Sequence, residues 1–159
     1  MNWLQKHWDA RAALNFMLGG AGAGLMIAAA LSHAESRALV LLALVLVATG
    51  LGAVWLEIGK KLRALNVFIN PFTSWMTRES FVAVLLFSFG AAALVKPQPF
   101  LPLAAATALV FAWCQGRILR ASKGIPAWRA PQVVPLIVST ALAEGAGLAL
   151  FFTVSPLAL

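Results

Sequence analysis

Residues 38–56 read ALVLLALVLVATGLGAVWL, an unbroken stretch without one charged side chain, closed by Arg37 on one side and Glu57 on the other. About 20 apolar residues cross the hydrocarbon core of a bilayer, with about 17–25 the usual range. This stretch therefore reads as a membrane span. Working outward, four more runs of the same kind emerge: Ala12–Leu31 before it, then Pro71–Val95, Phe100–Gly116 and Val133–Val154. The third run is strictly apolar only from Ser80. It extends back to Pro71 because Asn70-Pro71 suits a helix N-cap followed by a first turn. The fourth follows the breakers Pro97, Pro99 and Pro102. Backbone polar groups in lipid must bond within their own segment, so each run is expected to be a helix.

Composition agrees. Of 159 residues, 62% are hydrophobic and 11% charged, with six Trp, ten Phe and no Tyr. A soluble domain carries about 45–50% apolar and about 25% charged residues. The expected fold is an all-α integral membrane protein, one transmembrane domain over residues 1–159 with five helices. No signal peptide is expected: the first run, though preceded by Lys6 and Arg11, is long and leads into further spans.

The charges set an orientation. Lys6 and Arg11 precede the first run, Lys60, Lys61, Arg63 and Arg78 lie between the second and third, and Arg117, Arg120, Lys123 and Arg129 lie between the fourth and fifth. Only Arg37 and Lys96 fall on the other side. Cytoplasmic loops hold the excess of Lys and Arg, so the N-terminus is expected inside and the C-terminus outside. The net charge of +7 belongs to these loops, which argues against nucleic acid as a partner. The single cysteine, Cys114, excludes a disulfide framework and a cysteine-ligated iron–sulfur cluster. His7 and His33 sit near opposite ends of the first run and cannot share one haem, and no metal site is expected.

Several residues can carry chemistry. Leu18-Gly19-Gly20-Ala21-Gly22-Ala23-Gly24 in the first run contains a GxxxG spacing at Gly20 and Gly24, which lets another helix approach closely. Asn15, one turn inside that run, is free to bond a ligand or a neighbouring helix. The segment from Glu57 to Glu79 gathers two carboxylates, four basic residues, Asn66, Asn70 and Trp75 at one membrane face. It reads either as a headgroup-level loop with an aromatic anchor or as a site in which partly desolvated carboxylates exchange protons. Trp75 and Glu79 share a helix face at i, i+4. Glu144 lies near the middle of the fifth run, flanked by Gly145 and Gly147. A mid-bilayer acid is functional by default, here as a proton relay or as a bond to another helix.

Asn70-Pro71, Ser74-Trp75 and Arg78-Glu79 together resemble the signature of the NrfD/DmsC-type membrane anchors, the quinone-reactive subunits of molybdopterin oxidoreductases. The glycine-rich first run is similar to that family's first helix. The stretch Gln115-Gly116-Arg117 through Lys123-Gly124-Ile125-Pro126-Ala127-Trp128-Arg129 resembles its corresponding loop. The closest likeness is to the anchors of phenylacetyl-CoA:acceptor-type enzymes. Two departures stand out. Glu57 occupies the place of a family His, with Gly59 kept and Lys61 where Pro is common. The family commonly has eight helices in two bundles, whereas five are expected here, resembling the N-terminal four-helix bundle plus one.

The resemblance implies a subunit of the bacterial cytoplasmic (inner) membrane that binds menaquinone or ubiquinone and holds no haem. Iron–sulfur clusters and molybdopterin then reside on partners: a docked iron–sulfur subunit and a molybdopterin catalytic subunit. A second copy of the chain or another membrane subunit would supply the missing bundle. Under this reading Glu57 and Glu79 are the catalytic proton acceptors, and Asn15, Trp75 and Arg78 hold the quinone. Glu144 is a relay, and Lys60, Lys61, Arg63, Arg117, Arg120 and Lys123 dock the partner. The competing expectation is a small transporter with Glu144 as its coupling acid.

Overall fold

The computed structural model describes residues 10–32, 36–57, 74–122 and 125–154. They form five long helices: α1 Ala10–Leu31, α2 Arg37–Glu57, α3 Trp75–Val95, α4 Pro97–Ala121 and α5 Val133–Val154. A single 3-10 turn, Pro126–Arg129, leads into α5. Among the described residues there is no strand. All five helices are long and apolar enough to span a bilayer, which makes the chain an all-α, multi-pass membrane protein.

Consecutive helices run antiparallel, and α1 sits centrally against α2, α4 and α5. Its sequence explains why. Van der Waals packing rather than water exclusion drives helix association in lipid, so small residues mark the contacts. Each neighbour of α1 meets a different glycine. Gly22 faces Ala43 and Val47 of α2, Gly19 faces Phe111 and Gln115 of α4, and Gly24 faces Ala141 and Gly145 of α5. The last contact is the tightest. A methyl built on Gly24 would overlap the Ala141 carbonyl, and one on Gly145 would overlap the Gly24 backbone. The GxxxG spacing of α1 thus meets an AxxxG spacing, Ala141 to Gly145, on α5. The larger side chains Leu25, Met26, Val47, Leu86 and Phe111 fill the space between helices and are fully buried.

Two boundaries differ from expectation. α3 begins at Trp75, preceded by Ser74 in an extended conformation (φ −120°, ψ 130°) as its N-cap. The expected start at Pro71 lies outside the described residues. The Ser74 side chain makes no cap hydrogen bond. α4 runs farther than expected in both directions. Gln98 is non-helical (φ −95°, ψ 131°), so regular helix resumes at Pro99. Pro99 and Pro102 then fall in the first turn, where the backbone N–H has no helical acceptor and proline costs little. At its far end α4 continues through Arg117 and Arg120 to Ala121, which places both arginines on a helix rather than in a loop.

Candidate functional site

The N-terminal end of α1, the C-terminal end of α2, the N-terminal end of α3 and the C-terminal end of α4 meet at one end of the bundle. Arg11 Nη1 donates to the Leu56 carbonyl oxygen at 3.3 Å, a cation placed on the unsatisfied carbonyls of a helix C-terminus. A Cβ on Gly50 of α2 would lie 3.2 Å from the Asn15 carbonyl oxygen, so α2 closes tightly over the first turns of α1.

Inside this end lie three polar side chains on three helices. Asn15, Glu79 and Gln115 are 5%, 4% and 0% exposed, values more typical of a hydrophobic core. Both side-chain amides hydrogen-bond to the Glu79 carboxyl, whose Oε1 alone is left without a partner. Gln115 Nε2 donates to the Asn15 backbone carbonyl at 3.1 Å. This bond fixes which way the Gln115 amide points, leaving Gln115 Oε1 as a buried acceptor. It depends on Gly19, one turn beyond Asn15, because a Cβ there would stand 2.6 Å from Gln115 Nε2. Three oxygens in the cluster, Asn15 Oδ1, Glu79 Oε1 and Gln115 Oε1, have no hydrogen-bond partner. A buried acceptor without a donor costs about 1–3 kcal/mol, so the group is poor in donors as it stands.

Toward the surface, aromatic rings and guanidinium groups lie above the cluster. Trp75 packs edge-on against Trp113, with ring centroids 5.1 Å apart and planes at 85°. The Arg78 guanidinium stands 4.3 Å from the Trp75 centroid, and that of Arg117 stands 4.4 Å from Trp75 and 5.5 Å from Trp113. Cations so placed over indole rings are held by the ring quadrupole, worth about 0.5–2 kcal/mol. Trp75 is half-buried and Trp113 is 41% exposed, so the aromatic pair spans the boundary between the buried cluster and the outside. Cys114 is buried near Glu79 and Arg78.

Of the residues expected from sequence to form a site, Asn15 and Glu79 come together, and Trp75 and Arg78 stand beside them on α3. Glu57 ends α2 at the same end of the bundle, but its side chain lies outside the described residues. Lys60, Lys61, Arg63 and Lys123 also lie outside the described residues. Arg120 is exposed near the end of α4, whereas Arg117 is half-buried against the tryptophans. Glu144 is remote from this group, on the exposed side of α5. Gln115 and Trp113 were missed as site residues. The signal for Gln115 was available: an uncharged amide inside an apolar run merits the attention given to Asn15. Among the described residues no cluster of His, Cys, Asp and Glu could hold a metal ion. No family model, no curated protein and no solved structure matches the chain.

Proposed function

We propose that the chain is a quinone-binding membrane anchor of an iron–sulfur/molybdopterin oxidoreductase complex in the bacterial cytoplasmic membrane. One observation carries the reading: the excess of buried acceptors at Asn15 Oδ1, Glu79 Oε1 and Gln115 Oε1. A quinol suits such a group, since its flat apolar ring bears two hydroxyl donors. The acceptors belong to three helices, so a ring engaging them is held by the bundle rather than by a loop. Bound quinone supplies the two-electron redox chemistry, and the protein supplies position and proton handling.

The residues divide that work by chemistry. Glu79 Oε1 accepts a proton, the only one of the three oxygens able to hold it as a titratable group. Asn15 Oδ1 and Gln115 Oε1 accept hydrogen bonds and orient the hydroxyls. Trp75 and Trp113 wall the approach from the surface, with Arg78 and Arg117 stacked against them. Glu57, assigned by its place in the resemblance, is the second proton acceptor. Arg120, with the basic residues of the two charged loops, faces the iron–sulfur subunit, which passes electrons to or from the molybdopterin subunit.

The test is Glu79→Gln in the assembled complex, since the amide keeps the shape and removes the proton-holding oxygen. General acid–base groups contribute about 10²–10⁴-fold. Quinol-linked turnover should fall by about 10²-fold or more, while artificial-dye activity of the soluble subunits stays unchanged. Binding of a fluorescent quinone analogue should persist in Glu79→Gln and weaken in Asn15→Leu. Normal quinol-linked turnover in Glu79→Gln would remove the cluster from the mechanism.

A further inference from the structure

α5 is the least enclosed span, with 22% of its most apolar window buried. Its inner edge is Val134, Ala141, Gly145 and Ala149, aligned by the tight contact of Gly145 with Gly24. Glu144 precedes Gly145 and is therefore turned about 100° from that edge. It is exposed, midway along the helix. Thr140, Gly147 and Phe151, at −4, +3 and +7 from it, lie on the same side, and all three are exposed.

Acids within a membrane face the bundle interior or a water-filled cavity. Among the described residues of one copy Glu144 faces neither and is exposed, so its side of α5 needs a cover. That cover must offer a hydrogen-bond donor and an acceptor at mid-depth. It must also fit against Gly147, around which a Cβ would meet nothing within 4 Å. The cations of the described helices cannot serve. Arg11, Arg37, Arg78, Arg117 and Arg120 all stand within a turn or two of a helix end, and Lys96 caps one.

We propose that a second copy of the chain covers this face, forming a two-fold dimer with Thr140, Glu144, Gly147 and Phe151 of each α5 at the seam. A carboxylic acid carries both an O–H donor and an acceptor oxygen, so two Glu144 side chains across a two-fold axis satisfy each other. A two-fold interface uses the same patch on both copies, and this patch is self-complementary in that sense. Gly147 and Thr140, small residues on either side of Glu144, let the two backbones approach closely enough for the carboxyls to meet. The proposal does not depend on any bound quinone.

The test is crosslinking of the full chain in lipid vesicles at graded protein-to-lipid ratios. Thr140→Cys, nearly unchanged in size, should form a disulfide-linked dimer, whereas Ala146→Cys, exposed but turned well away from Glu144, should not. In the Thr140→Cys background, Glu144→Gln keeps a donor and an acceptor and should crosslink as before. Glu144→Leu should raise the dimer dissociation constant roughly tenfold, the scale of interhelical hydrogen bonds in lipid. Both Glu144 substitutions lie on an exposed face and should leave the fold intact, which an unchanged thermal transition would show. Equal crosslinking in Glu144→Leu, equal crosslinking through Ala146→Cys, or a monomer at every lipid dilution would each overturn the proposal.

Discussion

Gln115 on α4 reaches across to α1 and donates to the Asn15 carbonyl oxygen at 3.1 Å, through the gap left by the missing side chain of Gly19. The two partners are 100 positions apart in sequence. This bond orients the Gln115 amide beside Glu79, and its dependence on Gly19 gives a sharp prediction. Gly19→Ala should displace the Gln115 amide. The displaced atom is the tip of a flexible side chain, so the fold should survive, but a buried donor loses its acceptor, at a cost of about 1–3 kcal/mol. The side-chain amide resonance of Gln115 should shift in nuclear magnetic resonance spectra. On the proposed function, quinol-linked turnover of the assembled complex should fall, and should fall likewise in Gln115→Met. An unshifted resonance would show that Gly19 does not hold this gap.

The crossing of α1 and α5 should respond quite differently. At Gly24 and Gly145 an added methyl meets backbone atoms, which cannot rotate away. Gly24→Ala and Gly145→Ala should each force the helices apart and cost about 1–3 kcal/mol, the usual range for overpacking. Gly52→Ala, around which a Cβ meets nothing within 4 Å, should be neutral or stabilising by up to about 1 kcal/mol through helix propensity. Denaturant unfolding in bicelles measures all three. Similar values at Gly24 and Gly52 would contradict the packing described.

Arg117 and Arg120 separate two roles that their sequence position does not. Arg117 lies against Trp75 and Trp113, whereas Arg120 is exposed. Arg117→Glu should therefore destabilise the bundle by about 1–2 kcal/mol through the lost ring contacts. Arg120→Glu should leave stability unchanged and weaken binding of an iron–sulfur subunit, increasingly so at low ionic strength, where exposed charges act over a longer range. Co-purification at two salt concentrations checks it. A complex indifferent to Arg120→Glu would leave that arginine as an orientation signal only.

Topology is open to direct measurement. The basic residues Arg11, Arg78, Arg117, Arg120 and Arg129 gather at one end of the helices, and the start of α1 and the end of α5 lie at opposite ends. The loop-charge rule expects that end outside the cytoplasm, so a phosphatase fused after Leu159 should be active, and a fluorescent protein matured in the cytoplasm should be dark there. The reverse pattern would turn the Glu79 cluster toward the outside and move the docking face with it.

The five spans were legible because the length of an apolar run is a property of the sequence alone. A stretch such as 38–56 has no stable place except a bilayer or a buried core, and a chain this small has no core large enough. The glycine cluster of α1 likewise announced close helix packing. Helix ends were less legible. The described part of α3 begins at Trp75, after an extended Ser74; the prolines before α4 were absorbed into a first turn that needs no N–H donors. Tertiary structure alone decided which polar groups meet. Gln115 finds Asn15 because α4 packs on α1, a contact fixed by glycines and ring shapes on helices far apart in the chain. It also decided which side of α5 is inner. Glu144 and Gly145 are adjacent in sequence, but the Gly145 backbone must touch Gly24, and the 100° helical step then turns Glu144 outward.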